Sequence, residues 1–345
     1  MKRFFATLVA AVIAAGSLCA CSKAPEKNSS LSIVTTIFPE YDWVMNVLGD
    51  NPAKADVTML QNNGADLHSF QPTTADIIKI TECDIFVYVG GESDEWVDDV
   101  LKEATNKNMT VINLMDVLGD SVKEEEVVEG MQEEDEHEHE HDEDDHDHDE
   151  DHDEDHDHEH HHEEGEIEYD EHVWLSLKNA AVLVNSISEA LQKTDSANAS
   201  VYKANAESYI ARLNALDTEY QDAVNNASVK TLLFGDRFPF RYLVDDYGLT
   251  YYAAFVGCSA ESEASFETIT FLAKKTDELS LHSVLTIEGK DHKIAETIID
   301  NTASKDQQIL TMDSMQSVTA ADVANGVTYI SIMENNLSVL KEALK

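Results

Sequence analysis

Apolar positions recur along this chain in two alternating rhythms. Short runs rich in Val, Ile, Leu and Tyr fall at 31–37 (LSIVTTI), 55–60 (ADVTML), 84–90 (DIFVYVG) and 109–114 (MTVINL). They return at 230–235 (KTLLFG), 249–255 (LTYYAAF), 283–288 (SVLTIE) and 307–313 (QQILTMD). The stretches between them carry helical spacing, as in Trp43, Val47 and Leu48, or Trp96, Val100 and Leu101. Short apolar strands alternating with helices belong to parallel sheets covered by helices. The pattern predicts an α/β protein of two similar lobes, residues 31–123 and 228–345.

The separator differs in kind. From 169 to 227 the spacing is helical, and Tyr202, Ala206, Tyr209, Leu213, Leu216, Tyr220 and Ala223 form one stripe at alternating steps of four and three. No Gly or Pro interrupts residues 175–227, and Thr194–Asn198 is the weak point. A helix of about 24 residues spans about 36 Å, enough to run along both lobes as a rigid spine. Such a spine predicts small opening motions rather than a wide hinge.

Charge is concentrated in one place. The chain has 345 residues with 69 Asp+Glu against 23 Lys+Arg, a net charge of −46. Residues 124–171 hold 29 of those acids and no Lys or Arg, so the remainder carries only −17. A surface this anionic excludes nucleic acid as a partner, which needs an excess of bases, and it attracts cations. Residues 124–168 are expected to be a disordered insert, because acidic chain with few apolar atoms cannot offset its own entropy. Within it stand 11 of the 15 histidines: His137, His139, His141, His146, His148, His152, His156, His158, His160, His161 and His162. Imidazoles among carboxylates suit zinc, copper and nickel, held at several exchangeable sites rather than in one fixed geometry.

The N-terminus sets the compartment. Met1–Lys2–Arg3 precedes the 13-residue apolar run FFATLVAAVIAAG, too short to span a bilayer and apt for a signal peptide of residues 1–20. Leu18-Cys19-Ala20-Cys21 resembles a bacterial lipobox with Cys21 as the acylated residue, followed by a tether over 21–30. The expected location is therefore extracytoplasmic, with the membrane reached by lipid alone. Two cysteines remain, Cys83 and Cys258, read as separate thiols although export permits a disulfide.

Open α/β sheets place ligands at the carboxyl ends of their strands. After ADVTML comes His68 in QNNGADLHSFQPTTAD, and His172 lies in YDEHVWLSLKNA after the acidic tract. Asp236 follows KTLLFG, Glu288 ends SVLTIE, and Asp313 follows QQILTM. Two imidazoles with one or two carboxylates make a nitrogen and oxygen site suited to zinc or manganese. His282 and His292 read as solvent-facing.

The motifs GADLHSFQPTTAD and DIFVYVGGESDEWVDDVL, with EHVWL after a His-rich loop and TMDS near the end, resemble the zinc/manganese solute-binding lipoproteins of ABC importers. The resemblance covers essentially all of residues 31–345. It implies two lobes joined by a long helix with a metal in the cleft, a monomer, and an ABC permease as partner. It also implies His68, His172, a third donor early in the second lobe, and Asp313 as ligands. The third position falls on Gly235, which has no ligand atom. Asp236 ranks first as its replacement; Glu261, Glu263, Glu288, a histidine of the insert and a water stay open. The function implied is extracytoplasmic capture of Zn²⁺, with Mn²⁺ as the alternative metal, and delivery to the importer. A surface metal buffer or adhesin is a second reading. A zinc hydrolase is disfavoured, since HExxH falls only inside the low-complexity tract, at 137–141 and 158–162, a nucleophile elbow is missing and no base is dedicated to a bound water.

Overall fold

A computed structural model describes residues 30–50, 53–132, 168–259, 263–289 and 291–345. Cys21, Glu261 and the histidines from 137 to 162 lie outside the described residues. The first lobe runs β1 (Ser32–Thr35), α1 (Phe38–Leu48), β2 (Asp56–Met59), α2 (Thr74–Glu82), β3 (Ile85–Tyr88), α3 (Trp96–Lys102), β4 (Thr110–Asn113) and α4 (Leu114–Leu118). Two helices follow, α5 (Leu177–Thr194) and α6 (Ala199–Asn225). The second lobe runs β5 (Thr231–Phe238), α7 (Arg241–Tyr247), β6 (Thr250–Val256), α8 (Phe266–Glu278), β7 (Ser283–Thr286), α9 (Lys293–Asp300), β8 (Gln308–Thr311), α10 (Ala320–Ala324) and α11 (Tyr329–Ala343).

Each lobe holds a four-stranded parallel sheet, ordered β2-β1-β3-β4 and β6-β5-β7-β8. All eight apolar runs became strands. Burial follows position in the sheet: the inner strands β3 and β7 are buried at every residue, while the edge strands β2 and β8 are half exposed. Helices cover both faces, so inner strands tolerate no polar alternation.

The spine is made of two pieces. The chain breaks after Thr194, where Asp195 accepts from the side chains of Asn198 and Tyr202, and α6 packs back along α5. At 27 residues α6 is about 40 Å long. Its stripe is buried from Tyr202 through Tyr220 and ends on Val224 rather than Ala223. Toward the first lobe, Asn205 donates to the Val47 carbonyl of α1 at 3.0 Å and Tyr209 donates to Asp42 at 2.9 Å. Toward the second, Tyr220 donates to the Met333 carbonyl of α11 at 2.6 Å and stacks on Tyr247 of α7. One helix thus grips both lobes.

Residues 124–132, expected inside the disordered insert, are packed on the second lobe. Glu124 bridges Tyr169, and Met131 is buried. The Gln132 amide donates to the Ala254 carbonyl, and its side-chain oxygen accepts from the Ser265 amide. The apolar residues Val127, Val128 and Met131 distinguish this stretch from the tract beyond it. The two thiols are separate: Cys83 is in the core of the first lobe and Cys258 stands at the end of β6.

Candidate metal centre

His68 sits in a single 3-10 turn, Leu67–Ser69, after β2, held by Asp66, whose carboxylate accepts the His68 amide at 3.1 Å. His172 caps another, Val173–Leu175, just before α5. The fold brings the two rings together, with centroids 5.4 Å apart.

Their hydrogen bonds set what each ring offers. Asp170 Oδ1 lies 3.0 Å from His172 Nδ1 and also accepts the His172 main-chain N–H at 2.8 Å. A carboxylate can only accept, so Nδ1 carries the proton and Nε2 presents a lone pair. The Gln316 amide group donates to that Nε2 at 3.0 Å. His68 Nδ1 lies 2.8 Å from Ser93 Oγ, and its Nε2 is buried without a hydrogen-bond partner. Burial, reinforced by the neighbouring His172, pushes the His68 pKa down to about 3, so its ring is neutral at ordinary pH. One buried and one half-buried imidazole, each anchored through Nδ1 with Nε2 left for another partner, is the arrangement of metal-ligating histidines.

Negative charge surrounds them. Glu171 is buried; Oε1 accepts the Ser93 amide at 2.8 Å, while Oε2 stands 3.6 Å from His68 Nδ1 and has no hydrogen-bond partner. Gly257 makes room for the His172 ring, since a Cβ there would come within 2.9 Å of the Phe238 carbonyl and 3.1 Å of His172 Cε1. His68 lines two cavities. One, of about 740 Å³, is shared with Asp66, Asp236, Arg237 and Glu263. The other, of about 210 Å³, is shared with Glu125, Glu168, Glu171 and Cys258. Arg237 reaches from the second lobe to Asp66 of the first at 2.7 Å, closing the cleft beside His68.

The carboxylates expected to join the histidines each accept backbone amides in this structure. Asp236 is not beyond its strand: β5 continues to Phe238 through a register shift between Phe234 and Arg237. Its two oxygens accept the amides of Arg237 and Ile287, which ties it to β5 and the end of β7. Gly235 is packed against α9, and a Cβ there would lie 2.7 Å from Ala295 Cα. Glu288 accepts from Ser314, Gln316 and Ser317 and organises the turn after β8. Asp313 accepts the Met315 amide at 2.7 Å three residues before Gln316; burial and then the Glu288 charge push its pKa up to about 7.

Among the described residues, His68, His172 and Cys258 form a set whose ligand atoms all lie within 4.8 Å of one another. Asp236 and Asp313 stand outside it. Cys258 is a donor that the sequence reading does not include, because there it stands as a separate thiol or half of a disulfide. It follows β6, and the strand-end rule applied to that strand would have found it.

Two α/β lobes on a shared long helix, with paired imidazoles where they meet, define a two-lobed solute-binding protein. The chain belongs to the ZnuA family, the periplasmic component A of zinc-uptake complexes, whose pattern matches residues 33–343. It is 31% identical to the zinc-binding lipoprotein AdcA of Streptococcus pneumoniae over 97% of its own length and 60% of that protein's. It is 28% identical to the high-affinity zinc uptake system protein ZnuA of Bacillus subtilis, covering 96% of this chain and 93% of that one. The Zn(II)-bound ZnuA-like domain of S. pneumoniae AdcA superposes with a TM-score of 0.66 at 26% identity, over 92% of this chain and 99% of that domain. The chain spans only 56% to 60% of the length of the AdcA proteins it matches.

Proposed function

We propose that this chain captures Zn²⁺ outside the cytoplasm and hands it to an ABC-type importer. The observation that carries the reading is the pair of adjoining imidazoles, half-buried His68 with an orphaned Nε2 and buried His172 oriented by Asp170. His68 and His172 donate nitrogen, and Asp313 supplies a carboxylate once the turn at 313–316 swings in. Gln316 gives up its hold on His172 as the cation arrives. The names of the relatives, zinc-binding lipoprotein and zinc uptake protein, support the metal and the partner. They also support a lipid anchor at Cys21. Among the described residues no helix is long and apolar enough to cross a membrane. The tract from His137 to His162 collects cations for the site.

The protein is a receptor rather than a catalyst on this reading. Its family is one of solute-binding components, and the HExxH spacings in the sequence, at 137–141 and 158–162, fall only inside the acidic low-complexity tract.

Calorimetric titration of Zn²⁺ and Mn²⁺ tests it, using the chain from Ser22 with residues 133–167 replaced by a short Gly-Ser linker. One tight zinc site per chain, lost in His68→Ala, is the expected result. Tight manganese with weak zinc would overturn the metal. No tight site for either would overturn the cleft as the place of capture.

A further inference from the structure

We propose that Cys258 is the third protein ligand, a thiolate standing in for the imidazole or carboxylate that position 235 cannot provide. This rests on the reading of His68 and His172 as the metal's holders and deepens it by naming the donor set. Position 235 is closed to any side chain by Ala295 of α9, 2.7 Å from where a Cβ would stand. Asp236 is committed to two backbone amides. Neither offers a ligand atom within 4.8 Å of both histidines. Cys258 does, from the end of β6.

Three observations converge on it. The ligand atoms of His68, His172 and Cys258 lie within 4.8 Å of one another. Tetrahedral zinc with bonds of about 2.0–2.3 Å sets ligand atoms about 3.3–3.7 Å apart, so the set needs to contract by only about an ångström. Cys258 and His68 also line the same 210 Å³ cavity. That cavity receives Glu171, 2% exposed, whose Oε2 is buried without a hydrogen-bond partner. A buried carboxylate oxygen with nothing to accept from is costly unless a cation shares its cavity.

The backbone fixes the cysteine's position. Its amide donates to Glu125 Oε1 at 3.2 Å, and Glu125 in turn donates its own amide to the Glu168 carbonyl. The packed stretch at 124–132 and the returning segment at 168–170 therefore brace the loop that carries the thiol. As the metal–sulfur bond forms, the thiol proton leaves to solvent; no electron is transferred and no other bond breaks. A donor set of two imidazoles, one thiolate and a carboxylate favours borderline and soft divalent cations, Zn²⁺ or Cd²⁺, over hard Mn²⁺.

Cobalt(II) tests this on the chain from Ser22 onward, because a thiolate ligand adds a near-ultraviolet charge-transfer band that nitrogen and oxygen ligands do not. The His-rich tract contains no cysteine and stays silent in that band. The wild type is expected to show it at one Co²⁺ per chain, Zn²⁺ to abolish it, and Cys83→Ser to leave it unchanged. Cys258→Ser should lose the band and weaken zinc by more than about 100-fold, since losing an outer-shell partner already costs about 10–100-fold. Zinc protection of one wild-type thiol from alkylation gives the same answer if Cys258→Ser fails to fold. Tight cobalt without the band, abolished by His68→Ala but untouched in Cys258→Ser, would overturn the thiolate and leave the receptor reading intact. Binding indifferent to both His68→Ala and Cys258→Ser would overturn both.

Discussion

Asp170 is the residue through which a small change should be most legible. It is 1% exposed, and its own backbone is fixed at both ends: the amide donates to the Lys123 carbonyl at 2.9 Å, and Tyr242 donates to its carbonyl at 2.7 Å. Its Oδ1 accepts both the main-chain N–H and the Nδ1–H of His172. Asp170→Asn keeps the volume and one accepting oxygen but removes the charge. A hydrogen bond to a charged group contributes about 1.5–3 kcal/mol, against about 1 kcal/mol for a neutral one. The imidazole then becomes a weaker base at Nε2, and an amide turned the other way would draw the ring into the wrong tautomer. Zinc affinity should fall about 10- to 100-fold, equivalent to about 1.4–2.7 kcal/mol. A competition titration against a zinc chelator measures it, with circular dichroism to establish that the variant is folded. An Asp170→Asn protein with native structure and unchanged zinc affinity would refute the role given to His172 Nε2.

Asp42 carries a pH signature of its own. Burial, only partly opposed by the Tyr209 hydroxyl, pushes its pKa up to about 6, so the metal-free native state holds a proton that the unfolded chain releases near pH 4. That contribution is complete below the unfolded value and disappears as pH rises through 6, at about 1.4 kcal/mol per pH unit. Asp42→Asn should therefore gain on the wild type by about 2–3 kcal/mol between about pH 4 and 7 in urea unfolding; a constant difference across that range would sink the idea. Gly235→His should fail to restore a ligand and should destabilise the fold by about 1–3 kcal/mol, because the new Cβ collides with α9. A rise in zinc affinity with an unchanged Tm would contradict it. Gly257→Ala should lower zinc affinity through the His172 ring, which lies 3.1 Å from the added carbon, and equal affinities by titration would remove Gly257 from the site.

The architecture was legible in residue spacing alone. Hydrophobic periodicity is local, and a strand buried on both faces writes itself as a run of β-branched and aromatic residues wherever it lies in the sheet. All eight strands and the stripe of α6 were therefore readable, and His68 and His172 stood out because motifs carried them. The thiol was different. Cys258 is 86 residues beyond His172 in the chain and meets it only where β6 ends against the returning segment at 168–172. Which way a side chain faces at a strand end depends on register, and in β5 a single irregularity after Phe234 turned Asp236 toward the amide of Ile287. No periodicity reports that shift. Whether position 235 could hold a ligand was decided by Ala295, a residue of α9 that no pattern along the chain pairs with it. The donor set is a property of close approach between distant segments, and only the folded chain has such distances.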